Sequence, residues 1–190
     1  MPDLEGKLLL DVGCGSGQDA QEYVKRGAIV HGIDLSIREI LMAQASGNGS
    51  FLQGEMENLP YEDNTFDAVT SFYALQATEN VTRAIQEMIR VAKKGSTITI
   101  LAKTPVRNLL EGHVNDGKSN YFEKRTVTSH IFKRAITLRE PGHTQKEYQD
   151  PALLRVATLE YFDERSDHPA SEQVLGMKYP TYMILQYRKK

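Results

Sequence analysis

Asp11, Gly13, Gly15, Gly17 and Asp34 have the types and spacing to hold a nucleoside. In LLLDVGCGSG, Leu8 to Gly17, glycines fill every second position after an apolar run, so a buried strand ends on bare backbone just where a helix should start. Ligands of open α/β sheets bind at that edge. The spacing is GxGxG; the dinucleotide pattern GxGxxG would need glycine at Gln18, and no Gly-Lys-Ser or Gly-Lys-Thr follows to make a Walker phosphate loop. A nucleoside without a pyrophosphate fits better. Asp11 sharpens this, because a carboxylate beside the loop repels a pyrophosphate but attracts an ammonium, directly or through water. Asp34 closes a second apolar run, AIVHGID, about twenty residues beyond the glycines, where a carboxylate accepts hydrogen bonds from both ribose hydroxyls.

The elements that must position these residues alternate along the chain. Lys7 to Val12 reads as a strand, Gln18 to Arg26 as a helix closed near Gly27, and Ala28 to Asp34 as a second strand. A helix capped by Ser36 follows, from Ile37 to about Ala45, then a short strand from Phe51 to Gln53. FDAVTSFYAL is a fourth strand. Val81, Ile85, Met88, Ile89 and Ala92 recur at helical spacing, with Lys93, Lys94 and Gly95 closing that helix before the fifth strand, STITILA. Alternation from Lys7 to Ala102 predicts a doubly wound α/β domain with a mostly parallel sheet covered on both faces. An irregular, polar insertion at about 103–150 breaks the rhythm before a weak helix at Asp150 to Val156. VATLEYFDER and TYMILQYRK read as two more strands, joined through Pro169 and Gly176 with no convincing helix, which favours antiparallel pairing.

At 190 residues, one domain spanning 1–190 is expected. The formal charge of -2 gives no reason to expect a nucleic acid or an anionic membrane as partner. Cys14, the single cysteine, can form neither an internal disulfide nor a zinc cluster, no metal site is expected, and the chain fits a reducing cytoplasm. No apolar stretch is long enough to span a bilayer, and MPDLEGK lacks the pattern of a signal peptide.

Together these residues resemble the class I S-adenosylmethionine-dependent methyltransferases. LLLDVGCGSG looks like the family's first motif, VHGIDLS like its second, GEMENLPYEDNTFDAV like the stretch GDAExLPFxDxSFDxV, and IQEMIRVAKKGSTITI like its helix, basic turn and fifth strand. The resemblance implies a Rossmann-like, seven-stranded sheet with the last strand antiparallel, and S-adenosylmethionine as cofactor with S-adenosylhomocysteine as product. It sets Asp11, Gly13, Gly15 and Gly17 around the methionine part and ribose, Asp34 on the ribose hydroxyls and Leu35 on adenine. Glu55 stands where the family often has aspartate near the adenine amino group, and Met56 offers its backbone N–H to the ring. Ser71 falls where a backbone carbonyl meets the ammonium, and Cys14 where small packing residues are frequent.

The family usually has one or two covering helices before the first strand, where this chain has six residues. A shortened chain, a second copy or a partner chain covering the site, or the insertion folding across as an acceptor-side cap would each account for that. The activated methyl needs mainly an aligned acceptor, so a strong base is optional. Tyr73, beyond Ser71, and His143, where the insertion returns to the sheet, are the foremost substrate-side candidates, ahead of His113, Tyr121 and His130; the catalytic residue stays unknown. SFYA stands where a nucleic acid methyltransferase would carry an Asn-Pro-Pro-Tyr type motif, so a small-molecule acceptor is expected. FEKR at 122–125 and FKR at 132–134 lend the insertion local positive charge. The competing readings are a cofactor-binding or scaffold protein without turnover and, against the glycine spacing, a nicotinamide-linked oxidoreductase.

Overall fold

A computed structural model describes residues 4–117, 120–131, 136–166 and 179–190. The elements run β1 (Leu8–Val12), α1 (Gln18–Lys25), β2 (Ile29–Asp34), α2 (Ile37–Ser46), β3 (Ser50–Gln53), β4 (Phe66–Phe72), a 3-10 turn (Leu75–Ala77) and α3 (Val81–Val91). Then follow β5 (Ala92–Lys103), α4 (Pro105–Asp116), β6 (Arg125–Ile131), β7 (Ile136–Gly142), α5 (Gln145–Tyr148), α6 (Pro151–Val156), β8 (Ala157–Arg165) and β9 (Tyr182–Lys189).

Seven strands form one sheet in the order β3-β2-β1-β4-β5-β9-β8. β1 to β5 pair in parallel, while β9 runs antiparallel to both β5 and β8. The expected doubly wound sheet with an antiparallel last strand is what the chain forms. Successive side chains of β1 point to opposite faces: Leu9 joins Ala20, Tyr23 and Ile40 of α1 and α2, while Leu10 and Val12 join Ile85, Met88 and Leu153 of α3 and α6. Both faces are therefore covered. Among the described residues no helix is long and apolar enough to cross a membrane.

Three expectations need correction. β4 ends at Phe72, short of Leu75, because Tyr73 adopts a left-handed φ of 51° that turns the chain out of the sheet. Lys93 to Gly95 do not close α3: the helix stops at Val91, and the register jumps from Phe66↔Ala92 to Ala68↔Thr97, so the basic residues form a bulge inside β5. The insertion is no irregular loop. Thr104 Oγ1 accepts the Arg107 N–H at 3.1 Å, Pro105 occupies the first turn, and α4 runs from there to Asp116. β6 and β7 then make a separate antiparallel hairpin, from Arg125↔Gly142 to Ile131↔Ile136.

Buried charges join this segment to the sheet. Lys103 Nζ, at the end of β5, meets the Glu140 carboxylate of β7, Ser129 Oγ of β6 at 3.1 Å and Glu111 Oε2 of α4 at 3.7 Å. Arg107 Nε donates to Glu111 Oε1 at 2.8 Å, and the Ser129 hydroxyl donates to Glu111 Oε2 at 2.7 Å. The charges of FEKR are locally matched, with Arg125 on Glu123 and Lys124 at 3.8 Å from Glu79. FKR at 132–134 and the connection containing Pro169 and Gly176 lie outside the described residues.

Candidate functional site

A cavity of about 570 Å³ opens at the carboxyl ends of β1, β2 and β4. Of the residues singled out in the sequence, Gly13, Gly15, Asp34, Leu35, Glu55, Met56 and Tyr73 line it. The Asp34 carboxylate is fixed by backbone: Oδ2 accepts the Gly15 N–H and Oδ1 the Ser36 N–H, both at 2.9 Å. A carboxylate can accept about four hydrogen bonds, so roughly two acceptor positions stay open toward a ligand. Ser36 in turn caps α2 through the Glu39 N–H at 3.4 Å.

The glycines divide their tasks. At Gly13, φ is 76° and a Cβ would stand 2.1 Å from the Ala74 Cβ, so only glycine lets the loop pass the residue that follows Tyr73. At Gly15, also left-handed, the nearest atom to an added Cβ is Glu39 Oε2 at 3.9 Å. Gly15 thus presents bare backbone to open space. Gly17 precedes α1 and faces Ala43 and Phe51, away from the cavity lining.

Asp11, Cys14 and Ser71 do not line the cavity either. Asp11 is buried on the α1 side of the sheet, where Oδ1 accepts the Thr70 hydroxyl at 3.1 Å. Burial, opposed by that hydrogen bond and helped by the charges of Asp19 and Asp34, pushes its carboxyl up to about 7. Cys14 Sγ stands against Gly32, and burial raises its thiol to about 12, the signature of packing and not of a nucleophile. The Ser71 hydroxyl donates to the Val12 carbonyl at 2.8 Å.

Tyr73 and His143 fall on opposite sides of the 3-10 turn. Tyr73 lines the cavity and is 40% exposed. His143 is buried and lines a second cavity; its Nε2 lies 3.1 Å from the Leu75 carbonyl and its Nδ1 3.5 Å from Glu147 Oε1. Burial would raise the Glu147 carboxyl, but hydrogen bonds from His143 and Thr144 hold it down at about 2. His113 sits on the exposed side of α4, His130 belongs to β6, and Tyr121 Oη is 3.5 Å from Gln145 Oε1.

Sequence reasoning missed Glu57, Thr78 and Glu79 on the cavity wall. The Glu57 carboxylate accepts the Thr78 hydroxyl and, at 3.0 Å, the Asn80 N–H. Burial raises Glu57, yet these donors outweigh it and keep its carboxyl below the usual range. The signal was partial: Asn80 caps α3 through the Arg83 N–H, but nothing in ATEN marks Thr78 as facing Glu57. Among the described residues no group of three or more His, Cys, Asp or Glu could hold a metal ion.

The family described as a methyltransferase domain matches residues 10–100. The demethylmenaquinone methyltransferase of Lactococcus lactis is 36% identical over 206 aligned positions, covering 94% of this chain and 81% of that protein. Norajmaline N-methyltransferase of Rauvolfia serpentina is 38% identical over 109 residues, 53% of this chain and 37% of that protein. The chain spans less than half the length of several such curated relatives. In fold it is similar to an S-adenosylmethionine-dependent methyltransferase from Mesorhizobium loti, with a TM-score of 0.78 at 19% identity over 100% of this chain and 94% of that one.

Proposed function

The chain belongs to the class I S-adenosylmethionine-dependent methyltransferase family, and from that premise we propose that it transfers the methyl group of S-adenosylmethionine to a small organic acceptor. The observation that carries the reading is Asp34, locked by the Gly15 and Ser36 N–H groups with acceptor positions to spare on a wall of bare backbone. The residues fit a nucleoside. Asp34 takes the ribose hydroxyls, and Leu35, 66% exposed at the rim, gives adenine an apolar surface to cover. Glu55 and the Met56 N–H meet the edge of the ring. The methionine part would lie along Gly13 and Gly15; Asp11 and Ser71, buried behind that loop and bonded to Thr70 and to the Val12 carbonyl, would support it without contact.

When bound, the sulfonium supplies a methyl already activated for displacement. The chain's own task is alignment and exclusion of water. Tyr73, on the cavity wall where β4 ends, positions the acceptor; both nitrogens of His143 are engaged on the far side of the 3-10 turn, which argues against it as a base. The segment from α4 to β7 forms the acceptor-side cap. Small acceptors are favoured by the names of the relatives, norajmaline and demethylmenaquinone.

The test is calorimetric titration with S-adenosylhomocysteine. Saturable one-to-one binding is expected, and Asp34→Ala should weaken it by roughly 1 to 3 kcal/mol, about five- to 150-fold, with the fold verified by circular dichroism. Unchanged affinity in a folded variant would remove Asp34 from the site. Methyl transfer to phenols, quinols and amines, followed by mass spectrometry, separates an enzyme from a binding protein without turnover.

A further inference from the structure

The segment between β5 and α6 borders a second, half-open cavity, about 390 Å³, between α4, the loop at 120–123 and the Arg125–Gly142 end of the hairpin. Pro105, Leu109, Tyr121 and Val127 give it apolar walls. Asn108 also lines it and is only 6% exposed. The Asn108 backbone N–H goes to the Thr104 carbonyl at 3.1 Å, but no described residue hydrogen-bonds its side-chain amide. Among the described residues the side-chain atoms buried without a partner are Tyr23 Oη, Tyr61 Oη and Gln76 Oε1, so the Asn108 amide is reached from the cavity and can bond an occupant there.

The charges around the cavity narrow the chemistry of an occupant. Arg125 is paired with Glu123, and Asp116 Oδ2 accepts the Thr128 N–H at 2.9 Å. Lys103, Arg107, Glu111 and Glu140 neutralise one another. Arg139 lines the cavity from an exposed position. The interior therefore offers an amide that both donates and accepts, against apolar walls and without net charge.

We infer that this cavity binds a neutral ring compound whose hydroxyl or carbonyl group seats on the Asn108 amide, at a site separate from the nucleoside cavity. The two sites share one wall. His143 lines the second cavity and meets the Leu75 carbonyl, while Ala74 and Ala77 of the same turn line the first.

The probes are 1-naphthol and naphthalene, which differ by one hydroxyl, titrated into the isotope-labelled full chain and followed by proton–nitrogen correlation spectra. Naphthol is expected to shift the Asn108 side-chain amide together with the Gly112 and Gly142 backbone signals, saturably, and to bind about fivefold tighter than naphthalene. Asn108→Ala should erase that preference, and Leu109→Trp, which fills the space, should abolish binding of both. The mapping on the unsubstituted chain stands even if a variant fails to fold. Shifts clustered away from these residues, equal affinity for the two probes, or displacement of naphthol by S-adenosylhomocysteine would each overturn the inference. Since the naphthol titration needs no cofactor, failure of S-adenosylhomocysteine to bind would count against methyl transfer alone.

Discussion

The nucleoside cavity is walled largely by backbone, whereas the segment from Lys103 to Gly142 is held to the sheet by buried side-chain charges. At the first, Gly15 and Ser36 donate main-chain N–H groups to Asp34, and Gly13 N–H donates to the Ile33 carbonyl at 2.7 Å. At the second, Lys103, Arg107, Glu111, Ser129 and Glu140 converge from four elements. A backbone cradle needs only glycine at the positions where a Cβ would intrude. A charge cluster needs every member, because each one withdrawn from water depends on the others. Glu111 illustrates the point: burial raises its carboxyl, and the charges of Lys103 and Arg107, with the hydrogen bonds it accepts from Ser129 and Arg107, bring it below the usual range.

Breaking the charge cluster should have the largest effect. Lys103→Met strands Glu140 and is expected to cost about 3 to 5 kcal/mol in urea unfolding, with Glu140→Leu added to it recovering more than half. If the single variant costs no more than a surface substitution, the contrast between the two regions fails. Asp11 comes next, because it is the buried charge of the backbone-built region. The folded chain keeps the Asp11 proton up to about pH 7, while an unfolded carboxyl loses it near 3.8, so this group's contribution to stability falls as pH rises from about 4 through 7. Asp11→Asn does not titrate, and should therefore match the parent near pH 4 and exceed it by roughly 2 to 4 kcal/mol at pH 8 in thermal melts. A constant difference across that range would mean that Asp11 titrates normally. The smallest effect belongs to the exposed rim: Leu35→Ser should change stability by less than about 0.5 kcal/mol while weakening S-adenosylhomocysteine a fewfold.

How much was legible in the sequence follows the same division. Strand ends and turns carry local marks, so the glycine loop, the Ser36 cap and Asp34 at the end of β2 could be read from neighbouring residues. Lys93 to Gly95 misled because a basic pair before glycine resembles a helix end, and only pairing with β4 distinguishes a bulge. α4 had a readable start in Thr104-Pro105, a cap followed by proline in the first turn. The hairpin had less, since β7 contains Pro141 and Gly142, residues that central strands exclude but a two-stranded ribbon tolerates. The amide of Asn108 and the Glu57–Thr78 contact depend on partners distant in the chain, which no window of sequence displays.

The placement of β9 between β5 and β8 carries a consequence for synthesis. A ribosome makes β8 before Tyr182–Lys189, yet among the described residues β9 is the strand that joins β8 to the sheet, so until those residues emerge β8 lacks that partner and β5 offers a raw edge. Newborn chains are thus most exposed to sticking together in the interval before Tyr182–Lys189 emerge.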